Sequence, residues 1–189
     1  MKRVDTSNVM EADEYASLPA GAYICVIRDA KDEPEKERLT LHYDIAQGEH
    51  KGYFDDFRDR KPDNNDWIGR LWKSYKPKAL PFFKRFCSAV SKSNGNYVFD
   101  GGSVNADEHT LIGKKIGLVF REEEYYSNSG ELKTKLEVYK EFPIDKIEEQ
   151  KIPPILRIKE DKEENGRKSA TNTEFMNVPE GSDEEVPFE

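Results

Sequence analysis

Apolar and polar positions alternate with period two in several short stretches of this chain, and a helical period of three to four residues stands out in one. Residues 22–28 are rich in β-branched and aromatic side chains and follow the turn signal Leu18-Pro19-Ala20-Gly21, which predicts a first strand. In 38–46, Leu39, Leu41, Tyr43 and Ile45 alternate with Thr40, His42, Asp44 and Ala46. Such a strand buries one face and wets the other. Gly48 and Gly52 flank a charged tip, and 53–57 reads as a third short strand paired with the second.

Beyond the loop signal at 61–65, the run 67–75 predicts a helical turn or two, and Pro81 suits an early position of a helix reaching about Lys92. There Phe83, Phe86, Cys87 and Val90 recur at spacings of three and four, with Lys84, Arg85 and Ser91 on the opposite side. A short strand follows at 97–100. The clearest β signal is a hairpin, 115–126 and 131–142 across Ser127-Asn128-Ser129-Gly130, in which Ile116, Leu118 and Phe120 face Leu132, Leu136 and Val138. Pro143 ends it, 144–158 is a short helical or extended stretch, and from Lys159 the apolar content nearly vanishes, which predicts a disordered tail.

The expected class is therefore mainly β with a helical insertion, α+β, with five to six strands. A helix between the third strand and the last pair is the arrangement of the OB-fold Greek-key barrel. A β-sandwich with a helical insertion produces the same pattern. The expected organisation is an N-terminal arm over 1–17, one domain over 18–158 with the helical insertion at about 64–92, and an acidic tail over 159–189.

Charge refines this picture. The chain has 189 residues, 36% of them charged, and a net charge of −8. An acidic protein is a poor partner for phosphate unless its charges are segregated, and here they are. Residues 159–189 hold four basic and ten acidic side chains, whereas 58–92 hold ten basic and three acidic, a net of +7. The two cysteines, Cys25 and Cys87, lie among apolar neighbours without metal-ligand spacing, so they read as buried, reduced thiols in an intracellular protein. No window approaches the roughly 18 apolar residues of a membrane span, so the expected setting is the cytoplasm, with no membrane partner.

The stretch 67–86 holds six basic residues, six aromatic residues and no acid. Unstacked bases need flat rings and phosphates need cations, so this mixture points to single-stranded nucleic acid. Phe83 and Phe86 fall on the inferred core face of the helix and are read as packing. The candidate DNA contacts are Trp67, Arg70, Trp72, Lys73, Tyr75, Lys76 and Lys78, joined from the predicted strands by Arg28, Tyr53, Phe57, Arg58, Arg60, Lys133 and Lys135. Catalysis has no comparable signal. His42, His50 and His109 lie in unrelated segments, no phosphate-cradling glycine loop is present, and the acidic clusters at 55–56, 107–108 and 122–124 come with no converging lysine or histidine. No catalytic residue, cofactor or metal is expected, and the chain reads as a binding protein rather than an enzyme.

The tail ends in Asp183, Glu184, Glu185, Val186, Pro187 and Phe188, followed by Glu189. Carboxylates preceding an apolar hook suit a basic-rimmed apolar pocket on another protein. This ending resembles the acidic, Pro-Phe-terminated tip of bacterial single-stranded DNA-binding proteins, with Glu184 and Glu185 in place of aspartates and Glu189 added after the phenylalanine. The body resembles a group of phage and prophage proteins, once catalogued as a domain of unknown function, that are regarded as OB-fold single-stranded DNA-binding proteins. That likeness rests on Leu18-Pro19-Ala20-Gly21-Ala22-Tyr23, on Gly48 to Gly52 leading into Tyr53-Phe54, and on 111–119 preceding Glu122-Glu123-Glu124-Tyr125-Tyr126. The two resemblances imply a protein of phage replication or recombination in a bacterial host, coating single-stranded DNA without sequence preference and recruiting replication or recombination proteins through its tail. The competing expectation is an acidic interaction or inhibitor factor that never touches DNA. A further one is a homodimer paired through the hairpin edge.

Overall fold

A computed structural model of the chain describes residues 18–60, 69–103 and 106–158, with Arg60 described by its backbone alone. The predicted arm, Trp67 and the tail, including Asp183 to Phe188, lie outside these residues. The described part is mainly β, with two α-helices and short 3-10 turns, an α+β arrangement. Five antiparallel strands, β1 (Gly21–Glu33), β2 (Arg38–Ile45), β3 (Arg70–Ser74), β4 (Lys115–Tyr126) and β5 (Leu132–Phe142), form one sheet in the order β3-β2-β1-β4-β5. Helix α1 (Tyr53–Arg60) lies between β2 and β3, and α2 (Leu80–Ser93) between β3 and β4.

The apolar half of the alternation read in the second strand is realised, whereas Asp44, expected on the wet face, is fully buried. Leu39, Leu41, Tyr43 and Ile45 are buried, and Cys25 and Ile27 join them from β1, where Cys25 is opposite Ile45 and Ile27 opposite Tyr43. β4 adds Ile116, Leu118 and Phe120 to the same core. From α2 come Phe83, Phe86, Ala89 and Val90, and the ring of Phe86 lies 6.2 Å from that of Phe83 and 6.4 Å from that of Phe99. Asn94 stops the helix and ties it to the sheet. Its amide nitrogen donates to Val90 O at 2.7 Å and Lys115 O at 2.8 Å, while its Oδ1 accepts from Lys115 N at 2.9 Å.

Three elements differ from the sequence expectation. Residues 53–57 are not a strand but the first turn and a half of α1. Asp44, fully buried on β2, accepts the backbone N–H of Phe54 at 2.9 Å and of Asp55 at 3.4 Å. That carboxylate satisfies two amides of the helix start and complements its dipole. Residues 70–74, expected to be helical, form β3. Leu71 points into the core and Trp72 outward, but Lys73 also points inward, and this buried cation hid the period-two pattern. Gly69 enters the strand with φ +63, and a Cβ there would lie 2.6 Å from Tyr43 O, so a glycine is required where β3 meets β2. The predicted strand at 97–100 forms no strand and joins no sheet among the described residues, although Phe99 is buried.

The sheet does not close into a barrel, because β3 and β5 share no ladder among the described residues. They are linked by side chains instead. Glu141 of β5 is buried, with Lys73 of β3 paired to one of its oxygens and Arg85 of α2 donating to the other from Nε at 3.0 Å and from Nη2 at 2.7 Å. Burial pushes the Glu141 carboxyl up, yet Lys73 and Arg85 together outweigh it and hold it below the usual glutamate value. Burial also pulls the Lys73 ammonium down, against the opposing pull of Glu141.

Candidate nucleic-acid interface

The outward face of β2 and β3 is set by the same register that builds the core. Opposite residues are Arg38 and Ser74, Thr40 and Trp72, His42 and Arg70, and their side chains share the side turned away from Leu39, Leu41 and Leu71. Trp72 is 40% exposed at the centre of this face. The guanidinium carbon of Arg38 lies 4.7 Å from the indole centroid and that of Arg70 lies 5.7 Å away, both within cation–π range. Arg70 Nε also approaches His42 Nε2 at 3.4 Å, and His42 Nδ1 lies 3.9 Å from an Asp29 carboxylate oxygen.

Arg38 is fixed from below. Glu33, at the end of β1, accepts from Arg38 Nε at 2.6 Å, from Thr40 Oγ1 at 2.6 Å and from Lys36 Nζ at 2.8 Å. Arg38 first, then Lys36 and Thr40, hold the Glu33 carboxyl far below the usual range, so it stays charged and keeps Arg38 beside the indole. At the far end of β3, Tyr75 donates from its hydroxyl to Asp32 at 2.9 Å, and burial together with that bond pushes its phenol up to about 12. Lys76 and Lys78 follow, both exposed, in and beside the 3-10 turn Pro77–Ala79.

The structure thus brings Arg70 and Trp72 together, with Tyr75, Lys76 and Lys78 continuing along the chain. It places other candidates differently. Lys73 is turned inward onto Glu141 with its side chain 12% exposed, so it holds the fold and is not presented to a ligand. Arg28 pairs with Asp55 at 2.8 Å and lies 3.6 Å from Asp44, and Arg58 pairs with Asp55 from α1. Arg28 thereby ties α1 to β1, and Arg58 reaches β2 by donating from Nη1 to Tyr43 O at 3.5 Å. Tyr53 and Phe57 lie on α1 and not on a strand; the Tyr53 hydroxyl accepts from Leu18 N at 3.3 Å, and the Phe57 ring lies 6.4 Å from that of Tyr53. Lys133 and Lys135 are exposed on β5, where they pair with Glu131 at 3.2 Å and Glu137 at 2.8 Å. The Arg60 side chain and Trp67 lie outside the described residues.

Arg38 was missed by the sequence reading, although the alternation through 38–46 already put it on the wet face with Thr40 and His42. Its signal was weak because a cation beside a turn is common, and Trp72 as a cross-strand neighbour requires knowing that 70–74 is a strand. A second exposed ring with a cation, Phe82 with Arg85 at 5.4 Å, lies on α2. Asp107, Glu108 and His109 are the one cluster of metal-ligand side chains among the described residues. There Asp107 caps its own turn through a 3.0 Å bond from His109 N. No helix among the described residues is long and apolar enough to cross a membrane. No protein-family profile matches this chain, and no curated protein matches it.

Proposed function

We propose that this chain binds single-stranded DNA across the outer face of β2 and β3, as a non-enzymatic protein of OB type. The carrying observation is Trp72: a large indole left exposed at the centre of a sheet face with two guanidinium groups at its ring. An isolated exposed tryptophan is a cost to a soluble fold. One flanked by arginines offers a π-surface for an unstacked base beside cations for its phosphates, and each such stacked base contributes about 1–3 kcal/mol. The strand order β3-β2-β1-β4-β5 with α2 between β3 and β4 supports the OB reading. In that fold the barrel is often partly open, and the face of the second and third strands binds oligonucleotides. The ion pair from Lys73 to Glu141 spans the opening between β3 and β5.

The sequence of the tail, with ten acidic and four basic residues over 159–189, repels a polyphosphate, so its role in this reading is to recruit replication or recombination proteins through Asp183 to Phe188. The test is a titration of a fluorescent oligo-dT at increasing salt. Binding should weaken linearly in log–log form, with a slope of about −0.7 per phosphate neutralised, and duplex of equal length should bind far less. Trp72→Ala should weaken binding about tenfold or more, corresponding to the loss of one stacked base. Salt-independent binding, equal affinity for duplex, or an unaffected Trp72→Ala protein would each end this reading.

A further inference from the structure

β5 is one edge of the sheet, with β4 its one strand neighbour among the described residues. An edge that is neither short nor covered offers a template for another strand, and its charged side chains decide which pairings are open to it. The regular part of this edge is bounded at both ends. Toward the turn it begins at Leu132. At the other end the ladder with β4 passes from Phe120 opposite Val138 to Val119 opposite Lys140, so Tyr139 is a bulge, and beyond it Glu141 is buried against Lys73 of β3. Residues 132–138 remain, with Lys133, Lys135 and Glu137 on one face and Leu132, Thr134, Leu136 and Val138 on the other.

Two copies of this strand, paired antiparallel about a two-fold axis normal to the sheet, must place residues of one face opposite each other. The axis therefore passes through a residue, and the choice of residue is the register. An axis through Lys133, Lys135 or Glu137 sets that charge against itself, one through Thr134 sets Lys133 against Lys135, and one through Leu132 sets the strand against the turn residues before it. An axis through Val138 requires Glu141, which is already buried and paired. With Leu136 on the axis, Lys135 faces Glu137 of the second copy twice over, Thr134 faces Val138, and no like charges oppose. Lys135 and Glu137 side chains are 43% and 46% exposed and 2.8 Å apart within one chain, so two such pairs would meet as an alternating square of charge.

We propose that the protein forms a two-fold dimer through β5, antiparallel, with Leu136 on the axis and Lys135 of each copy against Glu137 of the other. The inference is independent of nucleic-acid binding and is tested without it. Sedimentation velocity of the full chain over a range of concentrations should show a monomer–dimer equilibrium. Lys135→Glu, which sets four carboxylates around the axis, and Glu137→Lys, which sets four ammonium groups there, should each raise the dimer dissociation constant about tenfold or more. The combined K135E/E137K protein should return to the original constant. Circular dichroism melting, expected to be unchanged for exposed side chains, confirms that each variant is folded. A wild-type chain that stays monomeric throughout, single variants that dimerise as well as wild type, or a folded double variant that stays monomeric would each overturn the proposal.

Discussion

Glu141 shows how much one buried carboxylate decides here. It is closed off from solvent and neutralised by Lys73 and Arg85 from two other elements. Removing one member of such a group strands a charge in the interior, at a typical cost of about 3–5 kcal/mol. Glu141→Gln is expected to destabilise the fold by that order in urea denaturation at neutral pH. The pH dependence has a definite sign. The folded carboxyl titrates below the usual glutamate value, so the unfolded chain takes up protons first as the medium is acidified. The contribution is complete above the ordinary glutamate pKa and is lost as pH falls through the folded value. Unfolding midpoints measured from about pH 5 down through about pH 3 should therefore fall more steeply for wild type than for Glu141→Gln. Cys25 illustrates the opposite extreme. Burial first, then the nearby Asp44 carboxylate, pushes its thiol well above the ordinary range, so in the native protein it should resist alkylation at pH 8 and react fully in denaturant.

α1 depends on a residue outside it. It has eight residues, too few for a helix to persist on its own propensity, and its first-turn amides are satisfied by Asp44 from β2. Arg28 of β1 pairs with Asp55, and Arg58 donates from Nη1 to Tyr43 O of β2 at 3.5 Å, which holds the helix against the sheet. Asp44→Ala is expected to cost about 1–2 kcal/mol through loss of the cap. Hydrogen exchange should quicken first in 53–60, while β4 and β5 keep their protection. Asp44→Asn, which keeps an acceptor, should lose less. β3 is the complementary case, since Leu71 and Lys73 turned inward leave Arg70 and Trp72 outward. The proposed interface is thus a consequence of how a core-facing pair is anchored.

Across the chain as a whole, opposite charges are separated in sequence. Within the described residues, however, several cations of the +7 stretch are engaged. Lys73 and Arg85 neutralise Glu141, and Arg58 pairs with Asp55. The cations that meet a polyanion in the proposed function are Arg70, Lys76 and Lys78 on and after β3 and Arg38 from β2. In the proposed function, the acidic stretch 159–189 opposes binding through like charge. A chain ending at Ile158 is expected to bind oligo-dT as tightly as the full chain or more tightly, most visibly at low salt where charge is least screened, and to lose capture of partner proteins. Weaker binding by the shortened chain, measured in the same titration, would contradict the proposed division of roles.

The start of β1 over 22–28, the strand at 38–45, the hairpin at 115–142 and the helix at 80–93 were legible because their apolar periods follow from local geometry, in which a pleat repeats every two residues and a helix about every 3.6. Cys25, Phe86 and Val90 could be assigned to the core on the same ground. Nothing local distinguishes the rings of 53–57 from those of a strand, or an inward Lys73 from an outward one. Both outcomes depend on partners distant in the chain, a carboxylate on β2 in one case and a carboxylate on β5 in the other. Periodicity reports how a segment is solvated on average, whereas the direction of a buried charge depends on where its counter-charge lies in space. That is why the pairing of Arg38 with Trp72 emerged from the folded arrangement and not from the order of residues.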